Sequence, residues 1–266
     1  MLSYSEEHMK YLKKRRKEKY FTLISRILIL GLFLLIWEVL SSYHLINSFL
    51  YSSPSHITNT IFLLLRDHSL FHHIGITLFE ILLSFLLSTI LSIIIAFLLW
   101  RYPRFARIVD PFLTILNSLP KVALGPLIII WVGAGIPSII FMALLISLFS
   151  SVLSIYHGFL MVSSANISLF KTFKATPFQS FYYLVFPSSF ETIMSTLKIN
   201  ISLTLTGVIM GELLVSKQGL GYLIMYGSQV FQLDLVISSI FLLGIVSYGL
   251  YFILQMFYLF IKKSNY

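Results

Sequence analysis

Charge is scarce in this sequence. Only 11% of the 266 residues are charged, whereas 58% are hydrophobic and 16% are aromatic, and the mean hydropathy is +0.90. Soluble domains carry roughly 25% charged residues, so this chain has too few charges to cover a water-soluble globule of its size. The composition therefore argues against a soluble enzyme or a soluble nucleic-acid-binding protein, although the net charge is +9.

Cysteine and the common catalytic motifs are also absent. The lack of Cys excludes a disulfide scaffold, a thiolate metal site and a cysteine nucleophile. The sequence has no H-E-x-x-H, no G-x-S-x-G and no phosphate-binding G-x-x-x-x-G-K-[ST] motif. We expect the chain not to be an enzyme, to bind no metal or cofactor of its own, and to have no nucleic-acid partner. His72 and His73, near His68, are interpreted as ordinary residues of an exposed loop.

Long apolar runs are what the sequence does contain. Residues 81–100 carry no charge, and residues 122–170 carry none either, but this second run is too long for one span and is interrupted at Gly133 and Pro137. Continuous rather than alternating apolar runs favour helices over a β-barrel. The prediction is an all-α membrane protein with a basic tail at 1–21 and one membrane domain at 22–266. Its six transmembrane helices lie at about 22–40, 77–100, 110–132, 137–160, 188–215 and 235–261.

The basic residues predict the orientation of these spans. If the N-terminus is cytoplasmic, six spans place the C-terminus there too, and 15 Lys and Arg residues then lie inside against only Arg66 and Lys217 outside. Such a bias is the positive-inside signal of membrane proteins. We expect lipid around the spans and both termini in the cytoplasm.

Two connections have features of their own. Apolar residues at helical spacing after Ser53 predict a short helix near the outer surface, within a long connection at 41–76. The connection at 161–187 is basic and aromatic, with a predicted helix over 165–176, an interruption at Pro177 and a second helix ending at Pro187. This loop is too apolar to remain free in water, so we expect it to dock against another protein.

Charged residues inside spans are costly unless they are paired or face a cavity. Glu212 is either a gate carboxylate that holds helix ends together or a residue that reaches the outer interface. Glu38 and Glu80 are expected at that interface. Lys121, after Pro120, is either a charge on the transport path or a lysine that extends toward water.

Small residues recur every fourth position in two of the predicted spans. Ser84, Ser88 and Ser92 form such a row in the second span, and Gly207 and Gly211 form one in the fifth. This spacing permits close approach of helix backbones, so we expect these positions to lie at helix contacts.

Four stretches in this order resemble a known family. They are Ser53-Pro54-Ser55; the run from Asp110-Pro111 through Pro120-Lys121 and Gly125-Pro126 to Trp131-Val132-Gly133; the loop segment with Phe178-Gln179 and Pro187; and Gly211-Glu212-Leu213 followed by Gly219-Leu220-Gly221. Over residues 52–260 the chain resembles the membrane-spanning permeases of bacterial ATP-binding cassette (ABC) importers, in the nitrate, sulfonate and taurine group.

The resemblance implies a type I importer permease in the bacterial cytoplasmic membrane that pairs with a second permease subunit, by expectation a second copy. Two ATPase subunits, which hold the ATP and Mg²⁺, would dock below it, and an external substrate-binding protein would deliver the solute. The implied ATPase-coupling residues are Ser168, Leu169, Phe170, Lys171, Lys174, Ala175, Phe178, Gln179 and Pro187. The implied residues of the translocation path or gate are Pro120, Lys121, Gly207, Gly211, Glu212, Gly219 and Gly221.

The sequence departs from the family pattern at two places. Ser168-Leu169-Phe170 replaces the family's E-A-A, and Lys174 replaces its glycine, so the acidic contact to the ATPase is missing. Glu80 stands where an arginine is common, which indicates either a different substrate charge or local repacking.

Other functions stay open from the sequence. A lone secondary transporter or channel is the alternative, but such proteins usually show inverted repeats, which this sequence does not. An intramembrane enzyme would have only His157 and nearby serines to work with. The substrate, and the choice between a homodimer and a heterodimer, are not determined.

Overall fold

The computed structural model describes residues 6–43, 45 and 47–264, and these form helices joined by short connections. The helices are α1 (Glu6–Ser42), α2 (Ser48–Tyr51), α3 (Pro54–Arg66), α4 (Ser69–Arg101), α5 (Pro103–Ser118), α6 (Gly125–Val132), α7 (Ile136–Leu160), α8 (Ser164–Thr172), α9 (Pro177–Ser180), α10 (Phe186–Ser188), α11 (Phe190–Val215), α12 (Leu220–Gln229) and α13 (Leu233–Ser264). A 3₁₀ turn at Lys121–Leu124 precedes α6, and a π-helical turn at Phe181–Val185 joins α9 to α10.

Five helices, all predicted as spans, are long and apolar enough to cross a membrane: α1, α4, α7, α11 and α13. The third predicted span, 110–132, is not one continuous helix. It consists of Pro103–Ser118 and Lys121–Val132, which meet at an angle of 83°. Pro120 lies at this break, where its missing N–H and fixed φ prevent the helix from continuing.

Several helices extend beyond the predicted spans. The first begins at Glu6, so the basic segment is helical from that residue onward. The second spanning helix begins at Ser69, which places His72 and His73 on a helix and not in the loop where the sequence predicted them. The short helix after Ser53 is confirmed as α3, whose His56 N–H donates to the Ser53 hydroxyl at 3.2 Å.

The connections lie at two opposite faces of the bundle. One, the turn face, carries α3, the α6–α7 turn and the residues around α12; here Ser238 of α13 donates to the Ile57 carbonyl and His56 lies 3.3 Å from Asp234. The other, the loop face, carries residues 161–189. At that face Lys262, near the end of α13, pairs with Glu191, near the start of α11, at 2.9 Å.

Helices α4, α7 and α11 form the centre of the bundle. The serine row of α4 is fully buried, and Ser88 donates to Asn200 of α11 at 3.2 Å and accepts from Ser147 of α7 at 2.9 Å. A Cβ at Gly207 would overlap the Cα of Ala143 on α7. The small-residue rows therefore lie at helix contacts, as predicted, and allow close approach of the backbones.

The contact at Gly207 predicts the effect of adding one methyl group. Gly207→Ala should lower the free energy of unfolding by about 1–3 kcal/mol, because overpacking against a backbone atom cannot be relieved by a side-chain rotation. Gly244→Ala is the matched control, since a Cβ at that helical glycine meets open space. The midpoint of unfolding by SDS in mixed micelles measures both. Equal midpoints for the two variants would contradict this packing.

Candidate translocation path and coupling surface

A buried carboxylate joins three helices near the turn face. Glu212, on the last turn of α11, is 1% exposed. Its Oε1 accepts from the Thr77 hydroxyl of α4 at 2.6 Å, and its Oε2 accepts from the Gly221 N–H of α12 at 2.5 Å. Thr77 in turn accepts from the Leu220 N–H at 2.8 Å. The interpretation of Glu212 as a residue that reaches the outer interface is therefore wrong.

The two glycines of the Gly219-Leu220-Gly221 segment make room for this carboxylate. A Cβ at Gly219 would overlap the Glu212 carboxyl group, and a Cβ at Gly221 would come within 2.7 Å of the Glu212 Cβ. Gly219 also has a φ of +104°, which side chains rarely adopt. Its N–H donates to Nδ1 of His73 at 3.0 Å. The segment thus wraps around Glu212 with its backbone donors turned inward.

Glu80 lies beside this cluster, which the sequence did not predict. It is 1% exposed, and its carboxyl group lies beside that of Glu212. The expectation that its side chain extends to the outer interface is wrong, because Glu80 follows Thr77 by three residues and both lie on the side of α4 that faces α11. Glu38, in contrast, stays near the end of α1 and accepts from the Ser55 N–H at 3.0 Å.

An open cavity of about 670 Å³ lies next to the cluster on the turn face. Its walls come from the first turns of α4, from the α6–α7 turn and from the end of α11. Apolar side chains make up much of the lining, and the polar part comes from His72, Glu80, Ser216, Lys217 and Gln218.

Lys121 lies at the break of the bent pair. Its Nζ donates to Oδ1 of Asn117 at 3.1 Å and to the Ile146 carbonyl at 3.3 Å, and it lies 5.8 Å from the centre of the Phe149 ring. The ammonium group thus binds carbonyl oxygens beside a proline that cannot donate a backbone hydrogen bond.

The predicted path residues therefore fall into three groups. Glu212, Gly219 and Gly221 belong to the buried cluster. Gly207 and Gly211 lie against α7, where a Cβ at Gly211 would come within 2.8 Å of the Ile139 Cα. Pro120 and Lys121 lie at the break, away from the Glu212 cluster.

The loop face presents the segment at 161–187. Helix α8 ends at Thr172, short of the predicted end at 176, and Lys174 follows with a φ of +56°. Such left-handed backbone is usually occupied by glycine after a helix. The glycine that the resemblance implies at this position would adopt this backbone without strain, whereas this chain has a lysine there.

The second half of the segment is also helical but ends differently from the prediction. Thr176 caps α9, with the Gln179 N–H donating to its hydroxyl at 3.2 Å. The helix was predicted to end at Pro187. Pro187 instead lies within α10, after the π-helical turn. A proline has no N–H for a regular helical bond, and the wider turn before it accommodates that loss.

Most of the predicted coupling residues are exposed on this face. Phe170 and Ala175 are half-buried; the exposed ones are Ser168, Leu169, Lys171, Lys174, Phe178, Gln179 and Pro187. The sequence reasoning did not single out three further exposed aromatic residues, Phe173, Tyr182 and Tyr183. We call the exposed residues of 164–187 the coupling surface.

Phe181 anchors the coupling surface to the bundle. Its ring lies 4.5 Å from that of Phe97 and 5.6 Å from that of Trp100 on α4, and 5.2 Å from that of Phe159 on α7. Tilted and edge-to-face contacts of this kind are favourable. The sequence placed Phe181 within the loop but contained no signal for this contact, which depends on the tertiary arrangement.

A family model described as "binding-protein-dependent transport system inner membrane component" matches residues 88–264. The chain belongs to this family. A probable ABC transporter permease protein of Haemophilus influenzae is 30% identical over 86% of this chain and 93% of its own length. The formylaminopyrimidine transport permease protein ThiX of Halalkalibacterium halodurans is 32% identical over 71% of this chain and 75% of its own length.

More distant relatives agree with this assignment. The taurine transport permease protein TauC of Escherichia coli is 21% identical, over 82% of each chain. The fold is similar to that of a chain in the inward-facing MetNI methionine ABC transporter, with a TM-score of 0.61, 18% identity, and coverage of 68% of this chain and 90% of that chain. This permease is thus an ABC importer subunit of the inner membrane that spans it several times, and a transport component rather than an enzyme.

The buried cluster predicts that Thr77 is required for stability of this permease. Thr77→Val removes a donor from Glu212 and an acceptor from the Leu220 N–H, and should lower the free energy of unfolding by about 1–3 kcal/mol for each buried group left unpaired. Thr206→Val is the control, because that exposed hydroxyl bonds only to a carbonyl of its own helix. Unfolding in SDS compares the two. A loss no greater than that of the control would contradict the importance of these bonds.

The backbone at Lys174 predicts a stabilising substitution. Lys174→Gly should raise the free energy of unfolding by about 1 kcal/mol, because glycine adopts this left-handed conformation without steric cost. Lys171→Gly removes the same charge from the last turn of α8 and should lower it by about the same amount. The two variants should shift the SDS midpoint in opposite directions. Shifts in the same direction would show that the loss of the lysine charge, not the backbone conformation, determines the change in stability.

Proposed function

We propose that this permease forms a solute path together with a second copy of itself, and that its coupling surface binds a separate ABC ATPase. The observation that carries the proposal is an exposed aromatic and basic surface, anchored through Phe181 to two central helices. A surface of this kind suits a soluble partner whose movement has to reach the membrane helices.

The distribution of basic residues supports an orientation with the loop face in the cytoplasm. Arg101, Lys171 and Lys262 lie at the ends of helices on that face, whereas Arg66 and Lys217 lie at the turn face. Cytoplasmic loops carry the excess of Lys and Arg. Both termini would then be cytoplasmic, and the turn face would receive solute from an external binding protein.

The proposed cargo is a small solute of the kind that the relatives' names describe. TauC is named for taurine, SsuC of Bacillus subtilis for aliphatic sulfonates, and ThiX for formylaminopyrimidine. We include sulfonate-like or nitrate-like anions and vitamin precursors. Most of the selectivity would reside in the binding protein, with the permease supplying a path of suitable size.

A charge placed on the coupling surface tests the proposed docking. Phe178 is 65% exposed, and Phe178→Asp should reduce the amount of ATPase that co-purifies in mild detergent at least about tenfold, since desolvating a carboxylate in an apolar contact costs several kcal/mol. Phe231→Asp is the matched control, because Phe231 is 69% exposed on the opposite face.

Both variants should insert and purify as the unaltered chain does, and ATPase recovery is measured by mass spectrometry of the tagged complex. Equal recovery with the two variants would overturn the assignment of the coupling surface. Recovery of the unaltered chain without any ATPase would overturn the proposed function itself.

A further inference from the structure

The cavity on the turn face contains a buried acceptor that the fold does not use. Glu80 contributes to its lining and is 1% exposed. Its Oε2 has no hydrogen-bond partner among the described residues. A buried oxygen without a donor is costly, so its presence beside an open cavity indicates that a donor comes from outside the chain.

The hydrogen bonds of the two neighbouring carboxyl groups differ. Glu212 accepts on both oxygens from the protein, on Oε1 from Thr77 and on Oε2 from Gly221. Oε2 of Glu80, beside it, accepts no hydrogen bond from the described residues. Oε2 of Glu80 is therefore the acceptor that is left for a ligand in the cavity.

Within the described part of the chain, neither carboxyl group takes part in an ion pair. His72 and Lys217 also line the cavity, but both are exposed to solvent. A buried carboxyl group without a cationic partner favours a positively charged or strongly donating ligand.

We propose that this cavity binds an N–H donor of the passing solute, on Oε2 of Glu80. The matching solutes are amines, amidinium groups and amino-substituted heterocycles. The apolar walls, among them Phe71, Ile76 and Phe79, would cover the carbon part of such a solute. This inference rests on the proposed transport function and narrows it to nitrogen-bearing solutes.

The absence of cysteine makes a direct test possible. Gly75 lines the cavity and a Cβ there meets open space, so Gly75→Cys introduces a single thiol without a clash. In the purified full-length chain in lipid nanodiscs, the thiol is reacted with methanethiosulfonate reagents that carry an ammonium, a trimethylammonium or a sulfonate group. Gln229→Cys, exposed and outside the cavity lining, calibrates the intrinsic reagent rates.

The ammonium-to-sulfonate rate ratio of the Gly75→Cys variant should exceed that of the control variant about tenfold, as expected for a hydrogen bond to a charged group. The trimethylammonium reagent, which has no N–H, should fall between the two. A sulfonate reagent that reacts with the cavity thiol as fast as the ammonium reagent, after calibration, would overturn the proposal.

Substitutions of Glu80 in the Gly75→Cys background test whether Glu80 causes the ammonium-to-sulfonate rate ratio. Glu80→Leu, added to Gly75→Cys, should bring the calibrated ratio of the cavity thiol down to that of the control site. Glu80→Gln should retain the preference for ammonium over trimethylammonium, because its carbonyl oxygen accepts a hydrogen bond in place of Oε2. A ratio that Glu80→Leu leaves unchanged would overturn the role of Glu80.

The same preparations separate this proposal from the proposed function. The labelling rates are measured on the purified chain and require no ATPase. The recovery of ATPase is measured separately and does not depend on the introduced cysteine. Expected labelling ratios without ATPase recovery would count against the transport function alone. Normal ATPase recovery with no ammonium preference would count against the cavity site alone.

Discussion

The structure near the turn face depends on one set of interactions, the hydrogen bonds that the buried carboxyl group of Glu212 accepts. A charge in a low-dielectric interior is costly unless donors surround it. Glu212 has such donors in a hydroxyl from α4 and a backbone N–H from α12, so three helices are held at one point. The glycines at 219 and 221 follow from the same interactions, because any side chain there would occupy the space of the carboxylate.

The centre of the bundle follows a related rule. Lipid is as apolar as the helix surfaces, so burial of hydrophobic area does little to bring helices together, and close packing and interhelical hydrogen bonds take its place. Ser88, Ser147 and Asn200 supply such bonds across α4, α7 and α11. Helix α1 differs: most of its apolar side chains remain exposed along its length, as suits a helix that faces lipid.

The spans were predictable from the sequence because membrane helices satisfy all their backbone groups internally and therefore appear as long apolar runs. Five were found as single helices. The third span is broken at Pro120, which is visible in the sequence, but the angle of 83° is not. Glu212 was singled out by its charge. The position of Glu80 and the contact of Phe181 were not predictable, because both depend on how neighbouring helices are rotated about their axes, and hydropathy does not determine that rotation.

The two faces are connected by the helices themselves. Helix α11 begins at Phe190, just after the coupling surface, and extends past Glu212, which lies about 33 Å further along at 1.5 Å per residue. Phe181 fixes the same surface to α4, which carries Thr77 and Glu80. Since Gly207 and Gly211 bring the α7 and α11 backbones into direct contact, no soft layer of side chains lies between them to absorb a displacement. A movement of the loop face would therefore reach the carboxylate cluster as a shift of packed helices, because the cluster lies at the far ends of the same helices.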